Sequence, residues 1–131
     1  MNPLFGRILL ALVFLVAGVR KIMAPAASAG YLAKLGFPAP EIMVWVAIAF
    51  EVGGALLLIF GWKTRWAALA LALFTLVASF AAHRFWEISD AGQYANQMNH
   101  FLKNLAIIGG MLILAATGPG PNSVDGRRRG S

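Results

Sequence analysis

Residues 99–116 read NHFLKNLAIIGGMLILAA, and this stretch decides what kind of protein the chain forms. Its last two-thirds is apolar enough to lie in lipid, while its first turn and a half carries His100, Lys103 and Asn104. A helix that crosses a bilayer needs about 20 predominantly apolar residues. The stretch therefore predicts a membrane-spanning helix with an imidazole, an ammonium and an amide in its first turns.

The composition of the whole chain is that of a membrane protein. Of its 131 residues, 60% are hydrophobic and 12% are charged, against about 45–50% and about 25% in a soluble domain. The net charge is +6, but the basic residues are scattered at the ends of apolar runs, where topology signals and lipid-headgroup contacts occur. No basic face or aromatic RNA-binding motif is visible, so no nucleic-acid partner is expected. The absence of cysteine excludes disulfides and thiolate-ligated iron–sulfur clusters.

Four apolar segments predict an all-α fold, a transmembrane four-helix bundle. The expected spans cover residues of about 4–23, 40–60, 66–84 and 99–117. They must be helices, because backbone polar groups in lipid have to be satisfied within the segment. Residues 1–117 then form one membrane domain, and residues 118–131 form an irregular basic tail. Arg20 and Lys21 follow the first apolar core directly, which favours a retained span over a cleaved signal peptide.

The links between the spans predict how they are arranged. The tight turn GWKTR, residues 61–65, makes spans two and three antiparallel neighbours. Residues 24–39 are too short and too interrupted by glycine and proline to span, and they predict a short helix in the membrane interface between spans one and two. The amino terminus, the tight turn and the basic tail fall on one side. The positive-inside rule assigns that side, and so both termini, to the cytoplasm.

Apart from Arg7, the ionisable residues within the spans fall in the outer half of this bundle. Span one ends outside with Lys21, span two carries Glu51 near the bilayer centre, and span three ends outside with His83. A charge at mid-bilayer costs about 2.5–3.5 kcal/mol even on insertion scales, so these faces are expected to point toward one another. We therefore predict one ligand-binding polar cluster, composed of Glu51, Lys103, Asn104, Lys21, His83 and His100.

Four of these six residues also have a purely structural interpretation. Glu51 could form an ion pair with Lys103 or with Lys21, or be a protonated carboxyl that is hydrogen-bonded within the bundle. Lys103 could instead extend its ammonium to the interface, and Asn104 could join two helices by a hydrogen bond. The pattern alone leaves both interpretations open.

The two histidines carry a weaker alternative. His83 and His100 could each face solvent, or as a pair at facing helix ends they could ligate haem or a metal. We expect neither haem nor a metal, because both residues lie near the rim and no other strong ligand set accompanies them. No nucleophile–base pair, phosphate loop or paired-carboxylate site is visible, and whether the chain catalyses a reaction alone stays open.

The order of these features resembles the DoxX family of small four-span bacterial and archaeal membrane proteins. The matching pieces are RILLALVFLVAGVRKI (7–22), YLAKLGFPAP (31–40), FEVGGALLLIFGWKTR (50–65), FTLVASFAAH (74–83), HFLKNLAIIGGMLILAATGPG (100–120) and SVD (123–125). The resemblance implies a helical bundle in the cytoplasmic membrane. The family's namesake is a subunit of a quinone-linked thiosulfate-oxidising complex, and other members look like partners in membrane oxidoreductase assemblies that resist oxidative stress.

Three functions of different classes follow. The first is a quinone-interacting subunit of a membrane or periplasmic oxidoreductase, with the Glu51 and Lys103 cluster near the quinone ring oxygens. Any redox chemistry would then reside in the bound quinone or in the partner. The second is a module that binds or transports a lipid or amphipathic molecule; four short spans enclose little volume, so it requires a homo-oligomer. The third is an assembly protein whose polar cluster only specifies helix packing.

Overall fold

The computed structural model describes residues 3–129, and these form helices and short links without a β-strand. The elements are α1 (Pro3–Met23), α2 (Pro25–Lys34), α3 (Pro40–Ile48), a π-helical segment (Ala49–Gly53), α4 (Gly54–Phe60), α5 (Thr64–Ala82), a 3-10 turn (Phe85–Glu87), α6 (Ala91–Thr117) and α7 (Val124–Arg129). Four of the helical stretches are long and apolar enough to cross a membrane: α1, α3 through α4, α5 and α6. The predicted all-α four-span fold is confirmed.

Two helices differ from the sequence expectation. The fourth span was expected from residue 99, whereas α6 begins at Ala91. Residues 91–98, AGQYANQM, contain no apolar run, and they continue the helix beyond the apolar stretch, where water can solvate the side chains of Gln93, Asn96 and Gln97. The tail was expected to be irregular, whereas residues Val124–Arg129 form the short helix α7. Both helices extend the fold outside the part of the chain that hydrophobicity marks.

The four spans pack in a chain of neighbours around one core. α1 packs against α3, the π-helical segment and α4; α4 packs against α5; and α5 packs along α6. The main core combines small and large side chains from all four spans: Ala11, Phe14, Ala55, Leu58, Ala67, Ala68, Leu71, Ala72, Met111 and Leu114. A second, smaller core joins α2 to α3 through Ala29, Val44 and Ile48. Small residues at these contacts let the helices approach closely, as in other membrane bundles.

The chain turns back at two ends of the bundle. We call the tail end the place where the start of α1, the turn at residues 61–63 and residues 118–129 meet. The amide of Asp125 donates a hydrogen bond to the carbonyl of Gly61 there, at 2.9 Å. The opposite end holds α2, the link between α5 and α6, and the first turns of α6. Lys21, His83 and His100 lie toward the opposite end, and Glu51 lies near the middle of the second span.

Replacing Gly54 by alanine is expected to destabilise the bundle. A Cβ atom at Gly54 would lie 2.8 Å from Cγ of Leu71, a fully buried residue of the main core. Overpacking of this kind costs about 1–3 kcal/mol. The measurement is unfolding of the purified protein in detergent micelles by a denaturing detergent. Gly109→Ala is the matched control, since its Cβ meets no atom within 4 Å; equal effects of the two variants would contradict the close packing at Gly54.

Candidate functional site

An ion pair between Lys21 and Glu51 lies at the contact of α1 with the π-helical segment. Nζ of Lys21 is 2.8 Å from Oε1 of Glu51 and 3.2 Å from Oε2. The Glu51 side chain is 2% exposed, whereas that of Lys21 is 28% exposed. The carboxylate of Glu51 is therefore enclosed by protein, whereas the side chain of Lys21 is partly exposed at the surface of the bundle. Ionisable groups within membrane spans are uncommon and often functional.

Two local features bring the pair together. Gly18 lies one turn before Lys21, and a Cβ atom there would come within 2.6 Å of Cγ2 of Val52 and 3.3 Å of Cβ of Glu51. Only a residue without a side chain permits this approach of α1 to the second span. Glu51 itself lies in the π-helical segment, a rare interruption of α-helices that recurs at functional sites. The sequence pattern did not predict this segment.

A separate polar group joins α5 to α6. Nδ2 of Asn104 donates a hydrogen bond to Oγ of Ser79 at 2.9 Å. The hydroxyl of Ser79 donates in turn to the carbonyl of Thr75, and that of Thr75 donates to the carbonyl of Leu71, each at 2.7 Å. Ser79 and Thr75 are buried. Asn104 thus connects α6 to α5 through the buried hydroxyl of Ser79.

The two histidines meet at the opposite end of the bundle. The rings of His83 and His100 stack with their centroids 4.9 Å apart and their planes 17° from parallel. Nδ1 of His83 is hydrogen-bonded to Oε1 of Gln97 at 2.6 Å. Ring nitrogen lone pairs lie in the ring plane, so two stacked rings do not aim them at one metal ion. Among the residues described, no group of three or more His, Cys, Asp or Glu side chains is placed to hold a metal.

Five aromatic side chains near this histidine pair along the chain contact one another at the same end of the bundle. Phe85 makes edge contacts with Trp86, Tyr94 and Phe101, at centroid distances of 5.2–5.6 Å. Phe80 contacts Phe101 edge-on at 5.5 Å and Trp86 at 5.9 Å. Offset and edge-to-face contacts are the favoured arrangements of aromatic rings. We call this set the aromatic cluster; its members are Phe80, Phe85, Trp86, Tyr94 and Phe101. Neither this cluster nor Gln97 was among the predicted site residues.

The six predicted site residues therefore form separate groups. The structure pairs Lys21 with Glu51, Ser79 with Asn104, and His83 with His100. Lys103 is exposed on α6 and forms no ion pair with any residue within 3–129. Of the two lysines considered as partners of Glu51, the structure selects Lys21.

Sequence reasoning missed a buried arginine at the tail end. Arg7 is 1% exposed, and its Nη1 donates hydrogen bonds to the carbonyls of Leu58 at 3.0 Å and Ile59 at 3.2 Å. Its Nη2 donates to the carbonyl of Asn122. A guanidinium at this position binds the last carbonyls of α4, which have no partners within the helix. Arg7 thereby connects α1, α4 and the segment before α7.

Asp125 makes a second connection at the tail end. Its carboxylate accepts hydrogen bonds from the backbone amides of Lys63, at 3.0 Å, and Thr64, at 2.9 Å. These are free amides at the start of α5, and an acidic side chain there is favoured by the helix dipole. No side chain next to the start of α5 caps the helix. The start of α5, with the sequence KTRW, has no acidic side chain that could cap the helix. This was the sequence signal that could have indicated a capping residue from a distant part of the chain.

Comparisons with known proteins identify relatives over most of the chain. The DoxX family profile matches residues 2–84. The chain is 36% identical to the inner membrane protein YphA of Escherichia coli over 124 residues, which cover 95% of this chain and 88% of that protein. It is 40% identical to the inner membrane protein YqjF of the same organism over 122 residues, 93% of this chain and 88% of that protein. A Surfeit locus protein 4 homolog of Schizosaccharomyces pombe is 32% identical over 127 residues, 96% of this chain but 37% of that protein. No solved structure matches.

Proposed function

The chain belongs to the DoxX family of multi-pass proteins of the bacterial cytoplasmic membrane, and from this premise we propose that it is a membrane subunit associated with a quinone-linked oxidoreductase. The observation that carries the proposal is the histidine pair beside the aromatic cluster at the opposite end of the bundle. A quinone headgroup is a flat ring with two carbonyl oxygens. It needs an aromatic surface against which to stack and hydrogen-bond donors for the oxygens.

The side chains at this end fit those requirements. Nδ1 of His83 is bonded to Gln97, which leaves its Nε2 available. His100 and Lys103 are exposed one turn apart on α6, and neither forms a hydrogen bond with another side chain of the part of the chain described. In this proposal they donate to the ring oxygens, while the aromatic cluster supplies the stacking surface. A bound quinone supplies two-electron, two-proton redox chemistry, and the residues of this chain bind and orient the headgroup.

Lys21 and Glu51 are the second part of the proposed polar site. Each satisfies the other, and Lys21 is the member that reaches the surface. We propose that this pair keeps α1 in contact with the second span, and so maintains the shape of the outer half in which a headgroup would be bound. Its role then acts through the packing of the bundle.

The experiment is equilibrium binding of a short-chain ubiquinone to the purified protein in detergent, with solvent extraction to identify any quinone that co-purifies. Wild type is expected to bind, and His100→Leu to bind up to about tenfold more weakly, the equivalent of one lost hydrogen bond. Lys103→Met is expected to act in the same direction. Lys34→Met is the matched control, an exposed lysine on α2. Absence of binding by wild type, or an equal loss in the control, would refute the proposal.

A second candidate, a non-catalytic assembly protein, is favoured by one specific observation. The Lys21–Glu51 pair and the Asn104–Ser79 bond are each satisfied inside the bundle. Such groups can specify which helix faces meet without contacting a ligand. If the protein is an assembly protein, replacing the histidine pair and Lys103 would leave both the folded protein and its partner complexes intact. If it has the quinone-linked function, the same replacement is expected to weaken quinone binding by the protein and its complex.

A further inference from the structure

The tail end of the bundle carries cations at a defined depth. Trp62 and Trp66 are 40% and 75% exposed there, and tryptophan rings outside a membrane bundle lie at the level of the lipid headgroups. Lys63 and Arg65 lie within the same turns of chain, and Nζ of Lys63 is 5.1 Å from the centroid of the Trp62 ring. We therefore expect the two cations to lie at the depth of the lipid phosphates.

The charge at this end is one-sided. Four of the basic residues whose side chains the structure describes belong to it: Arg7, Lys63, Arg65 and Arg127. Of the five acidic residues it has Asp125, while the other four lie between residues 41 and 90, toward the opposite end. The Asp125 carboxylate already accepts the amides of Lys63 and Thr64 and faces the buried Arg7. The side chains of Lys63, Arg65 and Arg127, by contrast, are exposed.

We propose that the tail end binds the headgroups of anionic phospholipids through Lys63, Arg65 and Arg127. These cations come from three places around the end of the bundle: beside Trp62, beside Gly118 at the end of α6, and on α7. Cations that are spread around the end of the bundle can each bind a different phosphate of the lipid layer. A binding site for a single soluble anion would instead require the cations to point toward one place. Each lysine or arginine near an anionic surface contributes attraction that is screened by salt. The surface lies at the end opposite to the proposed quinone site and is independent of it.

The two tryptophans report on this surface directly. In a Trp45→Phe/Trp86→Phe background, Trp62 and Trp66 are the remaining indoles of the sequence. This protein is reconstituted in phosphatidylcholine vesicles with a small, fixed fraction of either brominated phosphatidylglycerol or brominated phosphatidylcholine, and bromine quenching of the fluorescence is measured. We expect the anionic lipid to be enriched at the site by roughly fivefold or more, the attraction that one headgroup-level cation provides, and the excess quenching to fall as salt is raised.

Matched variants separate the site from the general charge of the protein. Lys63→Gln/Arg65→Gln/Arg127→Gln is expected to abolish the excess quenching. Arg20→Gln/Lys34→Gln/Arg84→Gln removes the same charge from exposed positions toward the opposite end, and it is expected to leave the excess unchanged. Equal quenching by the two lipids, or an excess that survives in the first variant, overturns the proposal. Loss of the excess on addition of millimolar glycerol phosphate also overturns it, since the site would then take a soluble anion.

Discussion

Replacing Lys21 by methionine is expected to lower the free energy of unfolding by about 3–5 kcal/mol, the usual effect of removing one partner of a buried ion pair. The variant leaves the Glu51 carboxylate enclosed by protein, at 2% exposure, without its cation. Methionine matches the length and apolar stem of lysine, so the change in packing is small. The measurement is the unfolding equilibrium in detergent micelles.

Replacing the other partner of the ion pair, Glu51, is expected to have a smaller effect on the free energy of unfolding. In Glu51→Gln the unpaired group is Lys21, which is already 28% exposed and can extend its ammonium further toward water. We expect a loss of about 1.5–3 kcal/mol, the range for one hydrogen bond to a charged group. The double variant Lys21→Met/Glu51→Gln is expected to recover much of the loss seen in Lys21→Met, because no buried charge remains. Equal effects of the two single variants would contradict the inference that Glu51 is the enclosed member.

Replacing Arg7 by methionine is expected to have the second large effect, a loss of about 3 kcal/mol or more. The carbonyls of Leu58, Ile59 and Asn122 lose their donors together, and each unsatisfied buried polar group costs about 1–3 kcal/mol. Arg7→Lys is expected to recover only part of the loss, because an ammonium lacks the planar fork that reaches carbonyls on two segments at once.

The Arg7 prediction includes a local readout. Without the bond to Asn122, the segment leading to α7 loses one of its attachments, so tryptic cleavage after Arg127 is expected to become faster. Arg20→Met is the matched control, since Arg20 is an exposed arginine at the other end of the same helix. A destabilised Arg7→Met protein with unchanged cleavage at Arg127 would show that Arg7 stabilises α4 but does not hold the tail.

Hydrophobicity was sufficient to predict the four spans but not the full extent of the helices. An apolar run marks where a helix enters lipid, which explains why the predicted start at residue 99 falls inside α6. The residues of α6 from Ala91 to Met98 contain no apolar run, so they form helix without contributing to that signal. Helical spacing places Phe14 and Gly18 on one face of α1, and both residues are buried.

The grouping of the polar residues needed information that spacing does not contain. Spacing fixes the face on which a residue lies, but not the rotation and height of one helix relative to the next. Both Lys21 and Lys103 therefore remained possible partners of Glu51, and the choice depends on the close approach that Gly18 permits. For the same reason, the proximity of Asn104 to Ser79 could not be predicted from either helix alone.

The contacts at the tail end could not be predicted from the periodicity of the sequence. Arg7 and Asn122 are 115 residues apart in the sequence, and Asp125 caps a helix that begins 61 residues before it. The SVD segment contributed to the family resemblance, but its physical role depends on the turn at residues 61–63. A single charged residue at the end of a span is as typical of a topology signal as of a buried helix cap. The sequence alone therefore favours the interpretation of Arg7 as a topology signal.

The π-helical segment divides the second span into two halves with different angular phases. Each residue of an α-helix advances the rotation by about 100°, and a π turn contains one residue more than an α turn. Residues before and after Ala49–Gly53 are consequently offset from a single uninterrupted helix. Val44 and Ile48 of α3 can thus belong to the small core with α2, while Ala55 and Leu58 of α4 belong to the main core. A relative that lacks one residue in this segment would differ in which side chains face lipid along half of the span, although its length would have changed by only one position.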